Sequence, residues 1–215
     1  MSESILKHSV KTAMVMIAFT IVGTLSLAII HQTTEAPISK AEAEVRMGLF
    51  SQILVPELYD NDLLQDEIKL PAGGDLGNRD ETSIYRARLK DKPTAVILEA
   101  TAPDGYSGDI KLLVAIKADG EIAGVRVITH KETPGLGDYI DISHSEWIKQ
   151  FDGQSLVKRN DEAWFVKKDG GQFDFTTGAT ITPRAVVKTV HKVLKFYSKN
   201  HQAIFETAAG QVIAQ

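Results

Sequence analysis

The longest uninterrupted apolar stretch runs from Thr12 to Ile30, with no charged residue and mostly Ala, Met, Val, Ile, Leu and Phe. As a helix it spans about 28 Å, enough to cross the hydrocarbon core of a bilayer. Lys7 and Lys11 precede it and Glu35 follows His31, so the bias of cations toward the cytoplasmic side puts the N-terminus inside and the bulk of the chain outside. A cleaved signal peptide, with Ala41-Glu42-Ala43 as a small-residue site, is the competing reading. The apolar run is longer than the roughly 7–15 residues of a signal core, which favours a retained anchor. The pattern divides the chain into a cytoplasmic N-terminus (1–11), a transmembrane helix (12–31), a linker and helical lead-in (32–80) and an outer domain (81–215).

After a short polar linker with Pro37, Ser39-Lys40-Ala41-Glu42 reads as a capping box that opens an amphipathic helix through Leu54, with Pro56 as its stop. The alternation in Ile84–Leu89 predicts a half-buried strand. Residues 58–80 carry no clear pattern. Residues 95–100, 110–116 and 121–129 are apolar or β-branched runs, the last two joined by Ala118-Asp119-Gly120, and they predict neighbouring antiparallel strands. Ser143-His144-Ser145-Glu146 resembles a helix start leading to Phe151, and Ala163-Trp164-Phe165-Val166 a short strand. From Pro183 to about Asn200, Val186, Val187, Val190, Val193, Leu194 and Tyr197 recur at helical spacing while Lys188, Lys192, Lys195 and Lys199 fall elsewhere. Thr182 is the expected N-cap of that helix. The fold class is therefore α+β: one N-terminal membrane helix, then a single domain with a mainly antiparallel sheet and packed helices.

Composition narrows the function. The chain has 215 residues, 43% of them hydrophobic, which supports a sizeable core in one domain. Its 24 Lys plus Arg against 28 Asp plus Glu give a net charge of −4, so no basic field favours nucleic acid. Without Cys, thiolate-bound iron–sulfur clusters and C-x-x-C-H haem attachment are excluded. The histidines lack a metal-ligand spacing, and carboxylate pairs such as Asp138 and Asp141 have no accompanying nucleophile.

Two short stretches carry candidate chemistry. Asp174-Phe175-Thr176-Thr177-Gly178-Ala179-Thr180 leads into Ile181-Thr182-Pro183. Gly178 and Ala179 leave nearly bare backbone before a helix N-terminus, where free N–H groups and the helix dipole suit a phosphate. On residues alone the same pattern is also a turn before a capped helix, as many folds have. His130-Lys131-Glu132-Thr133-Pro134-Gly135-Leu136-Gly137 follows a strand, and its glycines permit close approach to something flat. It too reads alone as either a binding loop or a turn.

Together these stretches resemble the FMN-binding domains of the Rnf (Rsx) and Na+-translocating NADH:quinone reductase complexes. Residues 174–180 are similar to that family's D-x-x-[ST]-G-A-T flavinylation motif, and residues 132–137 to its upstream E-T-P-G-L-G segment. Asp104-Gly105-Tyr106-Ser107-Gly108 is a weaker likeness to its G-Y-x-G turn. The resemblance covers the anchor and nearly all of the outer domain. It is nearest to the G subunits of Rnf, with the C subunits of the quinone reductase as the related group.

The resemblance implies covalent FMN on Thr180 through a phosphodiester, with Thr177, Gly178, Ala179, Glu132, Thr133, Leu136, Gly137 and Tyr106 about the cofactor. Asp174 would steady the turn or be read by a maturing flavin transferase. It further implies a redox subunit of a translocase with no turnover of its own, partnered by the complex's other membrane subunits. The expected setting is the bacterial inner membrane, with the C-terminal domain periplasmic. A binding module for a noncovalent phosphate and a purely structural assembly subunit are the alternatives.

Overall fold

A computed structural model describes residues 2–213, except for the side chains of residues 2–6, 36 and 39. The chain divides into two units, Met1–Met47 and Gly48–Gln215.

Helix α1 spans Ser2–Phe50, and its residues up to Met47 belong to the first unit. The expected break at Pro37 and fresh helix start at Ser39 do not occur, since α1 passes through Pro37. The Ser39 side chain of the expected capping box lies outside the described residues. Proline removes one backbone donor from a helix interior. Here it is flanked by helix formers, with Lys40 and Glu44 paired one turn apart at 3.9 Å, and cooperative propagation carries the helix across. From Lys7 onward α1 is long and apolar enough to cross a membrane. Phe19, Leu27 and Met14 are exposed, unlike the side chains of a soluble core helix.

The second unit is built on five strands: β1 (Glu67–Leu70), β2 (Thr82–Leu89), β3 (Lys92–Ala102), β4 (Ile110–Lys117) and β5 (Ile122–Thr129). They pair antiparallel in the order β1-β2-β3-β4-β5. The strands expected at residues 84–89, 95–100, 110–116 and 121–129 are all present. β1 has only four residues, too few for its alternation to stand out from the polar stretch around it.

One face of the sheet buries Val96, Leu98, Val114 and Ile116 in a single core with Val186, Val190 and Val193 of helix α2 (Ile181–Glu206). The predicted apolar stripe is thus the packed face of α2. α2 continues past the expected end at Asn200 because Ile204 extends the stripe and is fully buried. The buried Arg86 of β2 also donates to the carbonyls of Ile204, at 3.0 Å, and Thr207, satisfying acceptors that a helix end leaves open. The opposite face is covered from Phe50 onward. Phe50 packs on Tyr85 with ring centroids 4.8 Å apart, and a Cβ on Gly124 would meet Ile53 Cα at 2.9 Å, so this crossing requires glycine.

Both outer strands carry further backbone pairing. Along β1, Lys69 N–H donates to Gln211 O at 2.8 Å, Gly210 N–H to Glu67 O at 2.7 Å and Ile213 N–H to Lys69 O at 2.9 Å. At the start of β5, Ile122 N–H donates to Gln154 O and Gly153 N–H to Ile122 O, each at 2.8 Å.

Between β5 and α2 the chain runs in short 3-10 turns. The expected helix toward Phe151 is a 3-10 helix, Glu146–Phe151, capped by Ser145, whose hydroxyl accepts from Trp147 N–H. The strand expected at residues 163–166 does not form. Asp161–Ala163 is a 3-10 turn capped by Asn160, and Val166 makes only an isolated bridge to Phe173. Its apolar run has another cause, because Trp164 and Val166 belong to the core.

Candidate functional site

β5 delivers the 130–137 loop to the N-terminal end of α2. Thr133 O accepts from Leu136 N–H at 3.1 Å and Gly137 N–H at 3.0 Å, which closes the loop into a tight turn. Glu132 is 4% exposed, and both its carboxylate oxygens are engaged: Oε1 accepts from Ser107 N–H at 3.0 Å and Oε2 from the Thr182 hydroxyl at 2.5 Å. One buried carboxylate thereby ties together the 104–110 turn, the 130–137 loop and the first turn of α2. Gly137 fits against this knot, since a Cβ there would stand 2.8 Å from Glu132 Oε2 and 3.0 Å from Thr182 Oγ1.

The second approach is the 174–180 stretch. Ala179 N–H donates to Thr176 O at 3.0 Å, and Gly178 sits at φ +90°, the left-handed position that a tight turn of this kind requires. Tyr139 clamps the turn: its hydroxyl accepts from Thr176 N–H at 3.2 Å and donates to Ala179 O at 3.4 Å. Burial pushes the Tyr139 phenol up, against the opposing effect of the Thr176 hydrogen bonds. Trp147 packs edge-on against Tyr139 with centroids 5.6 Å apart and donates from its indole to Asp174 O at 2.8 Å. Gln150 Oε1 accepts from Asp174 N–H at 2.7 Å.

These contacts revise two sequence expectations. Helix α2 begins at Ile181 with Thr180 at the N-cap position, and Thr180 makes no side-chain capping bond. Thr182 is not the cap, because it lies inside the first turn and its hydroxyl is committed to Glu132. The Asp174 carboxylate does not steady the turn. It is exposed and pairs with Lys167, while its backbone is what Trp147 and Gln150 hold. Tyr139, Trp147 and Gln150 went unnoticed in the sequence; an aromatic residue two positions past the glycine loop was the only signal, and nothing in its spacing names a partner forty residues away.

A cavity of about 200 Å³ lies where the two stretches meet. The 130–137 loop lines it with Glu132, Thr133, Leu136 and Gly137, the turn and helix start line it with residues 178–182, and Tyr106 closes one side. Every residue singled out around the cofactor is therefore in one place except Thr177, which is exposed and outside the lining. Thr180 is 9% exposed. Pro183 has no N–H and Arg184 N–H donates to Thr180 O at 3.3 Å, which leaves the N–H groups of Ile181 and Thr182 without intrahelical acceptors, and with the helix dipole they favour an anion at this end. Among the described residues no group of His, Asp and Glu is placed to hold a metal ion.

The FMN-binding domain family matches residues 105–195, which contain the whole cavity. Among the G subunits of ion-translocating oxidoreductase complexes, that of Pseudomonas aeruginosa (strain PAO1) is 45% identical over 206 residues, covering 95% of this chain and 96% of its own. That of Vibrio atlanticus is 41% identical, covering 90% and 92%, and that of Shewanella oneidensis 40%, covering 91% and 92%. With relatedness at this level along almost the entire length, the chain belongs to the family of G subunits of ion-translocating oxidoreductase complexes.

Proposed function

We propose that this subunit is a membrane-anchored electron carrier holding FMN as a phosphodiester on Thr180. The observation that carries the reading is that Thr180, the last residue of the D-x-x-[ST]-G-A-T match, lies on the wall of the same cavity as Tyr106 and the 132–137 loop. The residues fit such a group. Thr180 has a hydroxyl free of capping duty, the start of α2 offers unpaired N–H donors, and the bare Gly178 backbone has no neighbour within 4 Å of a Cβ position.

FMN, when bound, supplies reversible acceptance and release of electrons. The protein's own residues do the rest. Thr180 would carry the ester, its O–H exchanged for an O–P bond as a flavin transferase displaces the leaving group of an activated flavin nucleotide. The amides of α2 would face the phosphate, with Leu136 and Tyr106 flanking the ring. Glu132 and Tyr139 hold the loops in register, and neither is asked to transfer a proton. The long apolar α1 would keep the carrier beside the other subunits in the inner membrane, with the C-terminal domain periplasmic, as Lys7 and Lys11 favour.

Denaturing electrophoresis of protein from a flavinylating host tests the reading. A fluorescent band at the subunit's mass is expected. Pigment released on denaturation would replace covalent attachment with noncovalent binding, and a colourless protein would leave only an assembly role.

A further inference from the structure

Beside the candidate flavin cavity, and sharing Ile181 with it, lies a larger groove of about 500 Å³ between the 164–169 segment and the first turns of α2. Its floor is apolar, formed by Trp164, Val166, Ala185 and Val187, with Phe165 and Ile181 at its surface. Tyr106, Leu136, Phe165 and Ile181, between 45% and 69% exposed, all border these two adjoining cavities. Among the described residues of the compact unit, the other exposed large hydrophobics are Val55, Val157 and Val212, which border neither. Exposed apolar side chains gathered around adjoining cavities are the kind of feature that interaction surfaces carry.

The rim adds charge. Lys188 pairs with Asp104 at 2.5 Å, Arg184 with Asp169 at 2.5 Å and Lys167 with Asp174. Lys192 and Lys168 act on Asp104 and Asp169 only through the longer-range field and have no carboxylate of their own among the described residues. The charged residues lining the groove itself balance, and around it the five named cations outnumber the three carboxylates by two, on a chain whose net charge is −4.

We propose that the groove is where a neighbouring subunit of the same complex docks to exchange electrons, inserting an apolar side chain ringed by carboxylates. The proposal rests on the flavin reading for its purpose. FMN at Thr180 would cover the smaller cavity and leave the larger groove open, so a partner seated there lies next to the cofactor. Apolar burial would supply affinity and the lysine rim orientation and encounter rate.

The test uses the assembled complex in its membrane. Phe165→p-benzoylphenylalanine should, on illumination, join this subunit to one other subunit of the complex, at a segment rich in Asp and Glu. The same substitution at Val157, which is 94% exposed and away from the groove, should give no such adduct. The paired change Lys168→Glu with Lys192→Glu should lower the adduct yield at residue 165 about tenfold and flatten its dependence on salt. An absent adduct at 165, equal adducts at 165 and 157, adducts to lipid alone, or a yield indifferent to the charge reversal would each overturn the proposal. Flavin fluorescence of the unmodified subunit band is scored separately, so loss of the flavin reading is distinguishable from loss of the docking surface.

Discussion

Thr182 Oγ1 donates a 2.5 Å hydrogen bond to Glu132 Oε2 from fifty positions further along the chain, and this contact holds the loop after β5 against the start of α2. Replacing Glu132 with Ala leaves the buried Thr182 hydroxyl without its acceptor, while the N–H of Ser107, an exposed residue, can turn to water. Such an orphaned hydroxyl costs about 1–3 kcal/mol. Glu132→Gln keeps the shape and one good acceptor and should cost less than half as much. Urea unfolding of both variants, compared at constant slope, checks the order.

Gly137→Ala tests the same knot by volume. Its φ of −99° is open to any residue, so the effect is steric: the added methyl meets Glu132 Oε2 at 2.8 Å and Thr182 Oγ1 at 3.0 Å. A loss of about 1–3 kcal/mol and reduced flavin incorporation at equal expression are expected. Full stability with full incorporation would show that the loop shifts freely and that the knot is not tight.

The attachment site separates the four threonines of the 176–182 stretch. Thr180→Val should give folded protein lacking the adduct, and Thr176→Ala, at the rim of the turn, should remain modified. Thr182→Val is expected to be destabilised through Glu132 whatever its flavin content. Peptide mass spectrometry reads all three, and an adduct on Thr176, Thr177 or Thr182 would remove Thr180 from its role.

His191 gives a dependence on pH. Its ring stacks on Trp164 at an interplanar angle of 7°. Burial lowers its pKa, aided by Lys195 and opposed by Asp161. A folded pKa below the unfolded value near 6.5 means that the unfolded chain takes up the proton first. Stability from this group is then complete above pH 6.5 and falls as pH drops toward the folded pKa. Proton NMR of the His191 ring should place its midpoint below that of a free histidine, and His191→Phe should weaken the acid dependence between those limits.

A reporter enzyme fused after Gln215 addresses the topology. Activity confined to the outer compartment is expected, and an intact mass that includes Thr12–Ile30 should accompany it. Cytoplasmic activity would put the cavity beyond reach of an external flavin transferase.

The long strands were legible because short β-branched runs such as Ile122–Thr129 follow turn residues such as Asp119-Gly120. The stripe of α2 was legible because its apolar residues recur at helical spacing. What escaped depends on distant contacts. β1 exists because Glu67–Leu70 finds Thr82–Tyr85, and Trp164-Phe165-Val166 mimics a strand because core loops also need apolar side chains. Pro37 misled in the opposite direction, as a local breaker overruled by its neighbours. In the candidate site, two motifs identified the lining almost completely, since glycine and proline constraints are written locally. The Tyr139–Trp147–Gln150 support was not readable, because each acts through the backbone of a segment remote in sequence. Thr182 looked like a cap for the same reason: nothing nearby reveals that its hydroxyl is already taken by Glu132.

Residues 210–213 lie along the outer side of β1 as its last hydrogen-bonding neighbours, and this has a practical corollary for expression and labelling. A chain cut after Thr207 would present a bare strand whose donors and acceptors invite copies of themselves, so such a fragment should gel or form cross-β aggregates rather than behave as a lone carrier. The same closure leaves little room on that flank for a neighbour to bind by adding a strand. On that flank, contacts with other subunits are left to side chains, which part more readily than a shared sheet does.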